Sequence, residues 1–357
     1  MFTQTLTAPG RDRSLAGALG NLLAGPHGLD SFTELIDPAW TRREARATVV
    51  KVRRQTRRSV TLVLRPNPVG ARLFAEFRAG QHINLSVEID GRRHTRCYSP
   101  ANAEGSALIE LTIARHDGGR VSPFLCERAR TGMVVAIGAP AGEFTIDDAA
   151  RRILFVSGGS GITPVMAMLR TLRGRGYDGE IAFVHYARSP GEAGYADELA
   201  TMTGVRVLHG YTRSGAGDLV GHLDADHLLT AMANPVAVYV CGPPALVDAV
   251  RVVHPGARSE SFVPKALSVG TESQGGTITF SDSAVTVDDD GRPLLVQAEA
   301  AGLTPESGCR MGICHSCTRR KTSGVVKNLI TGAVSTTGEE DVQICVSAAV
   351  GDIEIDL

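Results

Sequence analysis

Cys309, Cys314 and Cys317 stand in the spacing C-x4-C-x2-C, and Cys345 follows beyond residues 318–344. Few patterns constrain a chain as strongly, because one tight loop and one distant segment must meet at a single centre. The spacing fits four thiolates holding two irons. Gly308, Gly312 and Ser316, between or beside the ligands, permit a close wrap. Backbone N–H groups can then point at sulfur and stabilise its negative charge. Zinc sites arrive instead as two C-x2–4-C pairs a dozen or more residues apart, which this pattern is not.

The cysteine count of seven is odd, and the N-terminus shows no charged region followed by an apolar core. Metal or redox chemistry therefore accounts for the cysteines better than disulfides do, and a cytoplasmic location is expected. A net charge of −1 supplies no field to gather nucleic acid or anionic membrane. No apolar run approaches the ~20 residues of a membrane helix. Charge is nevertheless uneven: residues 41–58 carry eight Arg or Lys, whereas Asp288 to Asp290 and Glu339 to Asp341 are acidic.

A chain of 357 residues suggests two or three domains. Residues 1–44 read as an extension in which Leu15, Leu19, Leu22 and Leu23 form a short helical face. The plainer expectation is a helix lying on its own domain; docking on a partner or membrane surface is the other. Residues 45–148 hold short β-branched runs (ATVVKVRRQT, SVTLVLRP, HINLSVEIDG, ALIELTIAR, MVVAIGAP), the pattern of an antiparallel barrel. From 149 to 263 apolar strands alternate with helical segments, which implies a doubly wound parallel sheet. Residues 264–275 read as a linker. Residues 276–357 restart with strands ITFSDSAVTVDDDG and LLVQAEAAG before the cysteine cluster, and form an α+β domain.

The segment ESGCRMGICHSC closely resembles the cluster loop of plant-type 2Fe–2S ferredoxins, with a β-grasp-like fold. Upstream, Ser157 to Pro164 (SGGSGITP) lies between a strand and a helix, where glycines admit a pyrophosphate to the backbone and the helix N-terminus attracts it. Its spacing is not G-x-G-x-x-G, so alone it also suits an ordinary tight turn. Cys241-Gly242-Pro243-Pro244 ends a later strand of the same sheet. Together the two segments resemble the nicotinamide domain of the ferredoxin–NADP reductase family. That resemblance implies that Gly159, Thr163 and Pro164 lie near the pyrophosphate, and that Cys241, Gly242 and Pro243 lie near the nicotinamide ring.

Arg96-Cys97-Tyr98-Ser99 gives R-x-Y-S about 60 residues before the glycine turn, as in the same family. The resemblance implies that Arg96 meets flavin phosphate, that Tyr98 packs on the isoalloxazine and that Ser99 approaches its N5 edge. These roles suit a planar guanidinium and an aromatic face. Gly119, Val121 and Ser122 open a helix-like segment suited to a second phosphate, which favours FAD over FMN. Pro140-x-Gly142-x-Phe144 resembles the family's barrel exit. Arg213, with Arg188 on the preceding strand, favours NADPH over NADH. The resemblance further implies that Phe262 shields the nicotinamide face of the flavin, a core phenylalanine being the other reading, and that Ser99 and Cys241 stand nearest the reacting atoms.

The order of domains resembles reductase components of multicomponent oxygenases and desaturases. It implies transfer from NADPH through FAD to the 2Fe–2S cluster and on to a terminal oxygenase or a membrane di-iron desaturase or hydroxylase. A Rieske ring-hydroxylating oxygenase or an acyl-CoA epoxidase is the competing partner, and peripheral membrane association would come through the partner. A flavin and cluster relay without nucleotide turnover is the alternative of another class.

Overall fold

Alternation of β-branched and charged residues draws the first domain into six antiparallel strands: β1 (Arg46–Thr56), β2 (Ser59–Pro66), β3 (Ile83–Ile89), β4 (Arg92–Tyr98), β5 (Ile109–Ala114) and β6 (Val134–Ile137). The computed structural model describes residues 37–147, 149–260, 275–308, 310–312 and 315–357. The leucine face of residues 15–23, Phe262 and nearly all of the expected linker lie outside these residues. The strand order is β4-β3-β6-β1-β2-β5, which leaves β4 and β5 as the two edges. Every second residue faces inward, as with Ile109, Leu111 and Ile113, all fully buried. Helix α1 (Pro68–Phe74), which composition did not announce, starts where the Asn67 side chain accepts the Gly70 amide. Helix α2 (Val121–Arg128) packs against β2, β3, β4 and β5.

The second domain is a wholly parallel sheet built from β7 (Arg152–Gly158), β8 (Glu180–Ala187), β9 (Arg206–Tyr211), β10 (Leu219–Val220), β11 (Ala237–Cys241) and β12 (Arg258–Glu260). Its order, β10-β9-β8-β7-β11-β12, runs outward from β7 in one direction and resumes on the other side. Helices α3 (Ile162–Gly174), α4 (Ala196–Thr201), α5 (Ala225–Ala231) and α6 (Pro244–Val253) connect the strands. One continuous apolar core joins the two domains: Val165, Met168 and Leu169 of α3 pack in the same cluster as Ile109 and Leu111. Arg170 adds polar stitching, donating to Ala101 O at 2.7 Å and pairing with Glu110 and Glu198.

In the third domain β13 (Thr277–Phe280), β14 (Val285–Asp288), β15 (Thr318–Asn328), β16 (Glu340–Gln343) and β17 (Ser347–Ile355) form a mixed sheet ordered β14-β13-β17-β15-β16. One sequence expectation is corrected here. LLVQAEAAG is not a strand: Leu294–Ala300 is a helix, α7. Leu294, Leu295 and Ala298 are buried, a one-sided helical spacing, and Leu, Gln, Glu and Ala all favour helix. The short apolar start LLV imitated a strand because such runs carry no period of their own.

Candidate functional site

The order reversal of the parallel sheet falls between β7 and β11, and open α/β sheets bind ligands in the crevice at such a point. Both motif segments leave the sheet there. Gly159–Gly161 follows β7 and leads into α3; Gly242 and Pro243 follow β11 and lead into α6. The two turns touch so closely that glycine is required. A Cβ on Gly161 would lie 2.1 Å from Cys241 O, and one on Gly242 would lie 3.0 Å from Gly158 N. Gly159 differs: its φ is +56° and a Cβ there would meet open space, on the side from which a ligand can approach the backbone. Neither α3 nor α6 has a side-chain N-cap, so no side chain of the described residues occupies the N-terminus of either helix.

These turns floor a cleft of about 620 Å³ whose lining includes Gly159, Cys241, Pro243, Arg188, Thr212 and His222. Thr163 and Pro164 are buried in the first turn of α3, and the Thr163 hydroxyl donates to Ser160 O at 3.2 Å, so this threonine shapes the turn. Arg213 is exposed at the outer end of β9, where its amide donates to Arg188 O. Arg188 and His222 reach the cleft instead. A Gly161→Ala substitution is expected to force the two turns apart, lowering stability by about 1–3 kcal/mol. Thermal unfolding with and without nucleotide checks this: the nucleotide-induced rise in melting temperature should shrink as well.

Strand β4 presents His94, Arg96 and Tyr98 on one face, opposite Val87, Leu85 and Ile83 of β3, and turns Thr95 and Cys97 to the other, where they meet Ser86 and Asn84. Burial, and then the charges of Arg96, Arg120 and Arg92, hold the His94 imidazole below its usual pKa. Arg120 stands just before α2, whose N-terminus also lacks a side-chain cap. Arg96 and Arg120, with the N-terminus of α2, therefore lie near His94, an arrangement able to hold a diphosphate. His94 and Arg120 escaped the sequence reading, although the i, i+2 alternation along β4 already placed His94 on the face of Arg96. Tyr98 is packed tightly enough that burial raises its phenol pKa. Ser99 is 3% exposed, and its Oγ has no hydrogen-bond partner among the described residues. Such an orphaned hydroxyl costs stability unless a ligand completes it, which fits a bound flavin edge. Gly119 packs against His116 O, and Ser122 Oγ accepts the His116 amide at 3.0 Å; the Val121 side chain is core, leaving its backbone for a ligand.

In the third domain Cys317 and Cys345 are 1% and 4% exposed and share one core. Cys317 precedes β15 and Cys345 lies between β16 and β17, segments joined by Ile344 N donating to Cys317 O at 3.4 Å. Cys309 and Cys314 lie outside the described residues. Around them Arg310, Gly312 and His315 adopt left-handed φ values of +58°, +75° and +57°, so the chain coils tightly there. Gln343 Nε2 anchors this coil by donating to Gly312 O at 2.7 Å. The flavin segment and the coil meet directly: Arg96 Nη1 donates to Gly308 O at 3.0 Å, one residue before Cys309.

Three family models match consecutive parts of the chain: an oxidoreductase FAD-binding domain over residues 69–146, an oxidoreductase NAD-binding domain over 155–252 and a 2Fe-2S iron-sulfur cluster binding domain over 278–350. An NADPH oxidoreductase of Mycobacterium tuberculosis is 34% identical over 92% of this chain and 88% of its own. The chain belongs to the ferredoxin–NADP reductase-like flavoproteins with a fused 2Fe–2S domain. A second member of the family, the glycine betaine monooxygenase reductase subunit of Pseudomonas aeruginosa, is 30% identical over 78% of this chain and 87% of its own. The structure of phthalate dioxygenase reductase superposes with a TM-score of 0.61 at 25% identity, covering 87% of this chain and 97% of that one. Like other reductases of this family, the protein is an NAD(P)H-dependent oxidoreductase that uses FAD and a 2Fe–2S cluster. Among the described residues no helix is long and apolar enough to cross a membrane.

Proposed function

We propose that this reductase draws electrons from NADPH and delivers them, through FAD and a cluster held by Cys309, Cys314, Cys317 and Cys345, to a terminal oxygenase. The Arg96 to Gly308 hydrogen bond carries the reading, since it ties the flavin strand to the cluster loop. FAD, when bound, takes up the two electrons of a hydride and gives them up singly, as a one-electron cluster requires. The protein's part is to bind, orient and exclude water. Arg96, with His94 and Arg120 beside it, holds the flavin diphosphate together with the backbone at Gly119 and Val121. Tyr98 covers the ring, and the Ser99 hydroxyl supplies its missing hydrogen bond to the ring edge. Gly159 admits the nucleotide pyrophosphate. Cys241, Gly242 and Pro243 receive the nicotinamide end, small enough there to let the ring approach. Two relatives named as oxygenase reductase components support an oxygenase as the acceptor.

Arg188 in the lining of the cleft supports NADPH, because a ribose 2′-phosphate needs a cation. Arg188→Ala is expected to raise the KM for NADPH roughly tenfold, about 1.4 kcal/mol, and to leave that for NADH unchanged. Steady-state ferricyanide reduction with each nucleotide measures the ratio. The whole reading is tested by absorption spectra of oxygen-protected protein before and after adding NADPH or NADH. Flavin and cluster bands should both bleach, faster with NADPH. Bands that persist with either nucleotide would mark the protein as a relay without nucleotide turnover.

A further inference from the structure

A polar pair is buried in the seam between the flavin domain and the nucleotide domain. His82 Nδ1 lies 3.2 Å from Glu260 Oε1, with side chains only 5% and 11% exposed. His82 belongs to the first domain, where its backbone bridges to Ala141; Glu260 ends β12, the last strand of the second. Gly142 completes the fit. Its φ is +102°, and a Cβ there would stand 3.0 Å from His82 Nδ1 and 3.6 Å from Glu260 Oε1.

The pair adjoins the reacting end of the cleft. Glu260 is in register with Cys241 across β12 and β11, and Cys241 lines the cleft. The neighbourhood registers in the thiol, whose pKa is raised by burial and by the charge of Glu260. Burial likewise raises the Glu260 carboxyl, and its second oxygen, Oε2, has no hydrogen-bond partner among the described residues. A buried carboxyl satisfied at one oxygen and orphaned at the other is costly, and a fold keeps such a group chiefly where a ligand uses it. Held at Oε1 by His82, the carboxyl has only Oε2 to offer.

We propose that His82 is a positioning residue for nicotinamide: from the flavin domain it fixes the Glu260 carboxyl beside Cys241, so that Oε2 meets the nicotinamide end of the nucleotide and sets that end against the flavin domain. The contact also explains why the pair spans the seam. The ring must be registered against a flavin held by the other domain, and a clamp with one partner in each domain does this directly. The proposal rests on nucleotide oxidation at this cleft.

Two measurements on the FAD-loaded, cluster-containing protein test it. Rapid anaerobic mixing with saturating NADPH reads the rate of flavin bleaching. Titration with 2′-phospho-AMP and with NADP⁺, following the visible difference spectrum, reads binding without turnover. His82→Ala should slow bleaching at saturation by between about ten- and 100-fold, the cost of a misplaced reactant. It should diminish the difference spectrum evoked by NADP⁺ while 2′-phospho-AMP affinity stays at the parent value; the melting temperature falls, because the Glu260 carboxyl is left buried without its partner. His82→Asn, which keeps a nitrogen near the Nδ1 position, should recover most of the lost rate. Bleaching at the parent rate in His82→Ala overturns the proposal. So does a slowing matched by an equal fall in 2′-phospho-AMP affinity, which would make His82 structural only. If the parent protein bleaches with neither NADPH nor NADH, nucleotide oxidation itself fails and the proposal falls with it, a result distinct from the other two.

Discussion

Cys345→Ser is expected to abolish electron delivery to a one-electron acceptor while leaving NADPH-driven bleaching of the flavin intact. Cys345 is 4% exposed, in the same core as Cys317, on a segment pinned to the start of β15. As a cluster ligand its sulfur would be presented from one direction, by a buried turn between β16 and β17. Serine offers a harder, more basic oxygen where iron–sulfur chemistry uses a soft thiolate. Loss of a supporting group around a metal already costs about 10–100-fold, and loss of a ligand should exceed that. Anaerobic reduction of cytochrome c by NADPH, read beside iron and sulfide content, is the measurement. Ferricyanide, which can take electrons from the flavin itself, should still be reduced. Full iron content and parent cytochrome c turnover in Cys345→Ser would remove this residue from the ligand set.

Lys321→Ala should unfold the third domain at markedly lower denaturant. Lys321 is fully buried in β15, and its ammonium donates to the carbonyls of Gly324, Thr336 and Gly338, with Glu340 Oε1 at 3.5 Å. Gly324 belongs to β15 itself and Thr336 and Gly338 to the excursion between β15 and β16, so one cation ties that excursion back to the strand. Removing it strands three acceptors and a partly buried carboxylate, a loss of about 3–5 kcal/mol for one broken buried pair. Urea denaturation followed through the release of cluster sulfide reports on this domain alone. Lys321→Met, which restores volume but no donor, should regain only part of the loss. A midpoint displaced by less than ~1 kcal/mol would place Lys321 among ordinary surface ion pairs.

Legibility in the sequence followed the length of chain over which each cause acts. The glycine turn, R-x-Y-S and the C-x4-C-x2-C loop were readable because each needs particular residue types within a few positions, and the structure places the described members of each where a strand ends or a loop coils. Helix α7 was misread because LLV is apolar in either geometry; the helix-favouring QAEA that follows and packing against the sheet together select the helix. His94 and Arg120 were missed because their significance lies in a shared electric field, which no single spacing expresses.

By itself the sequence determined three domains, their order and the cofactors they carry, and it proposed the thiolates at the end of the relay, since local backbone geometry and ligand chemistry dictate those. Only tertiary structure decided how the parts meet. His82 and Glu260 are 178 residues apart, and Arg96 and Gly308 are 212 apart. Contacts at such separations exist only once separate cores have packed, because nothing in a short stretch of chain encodes which surface it will later face.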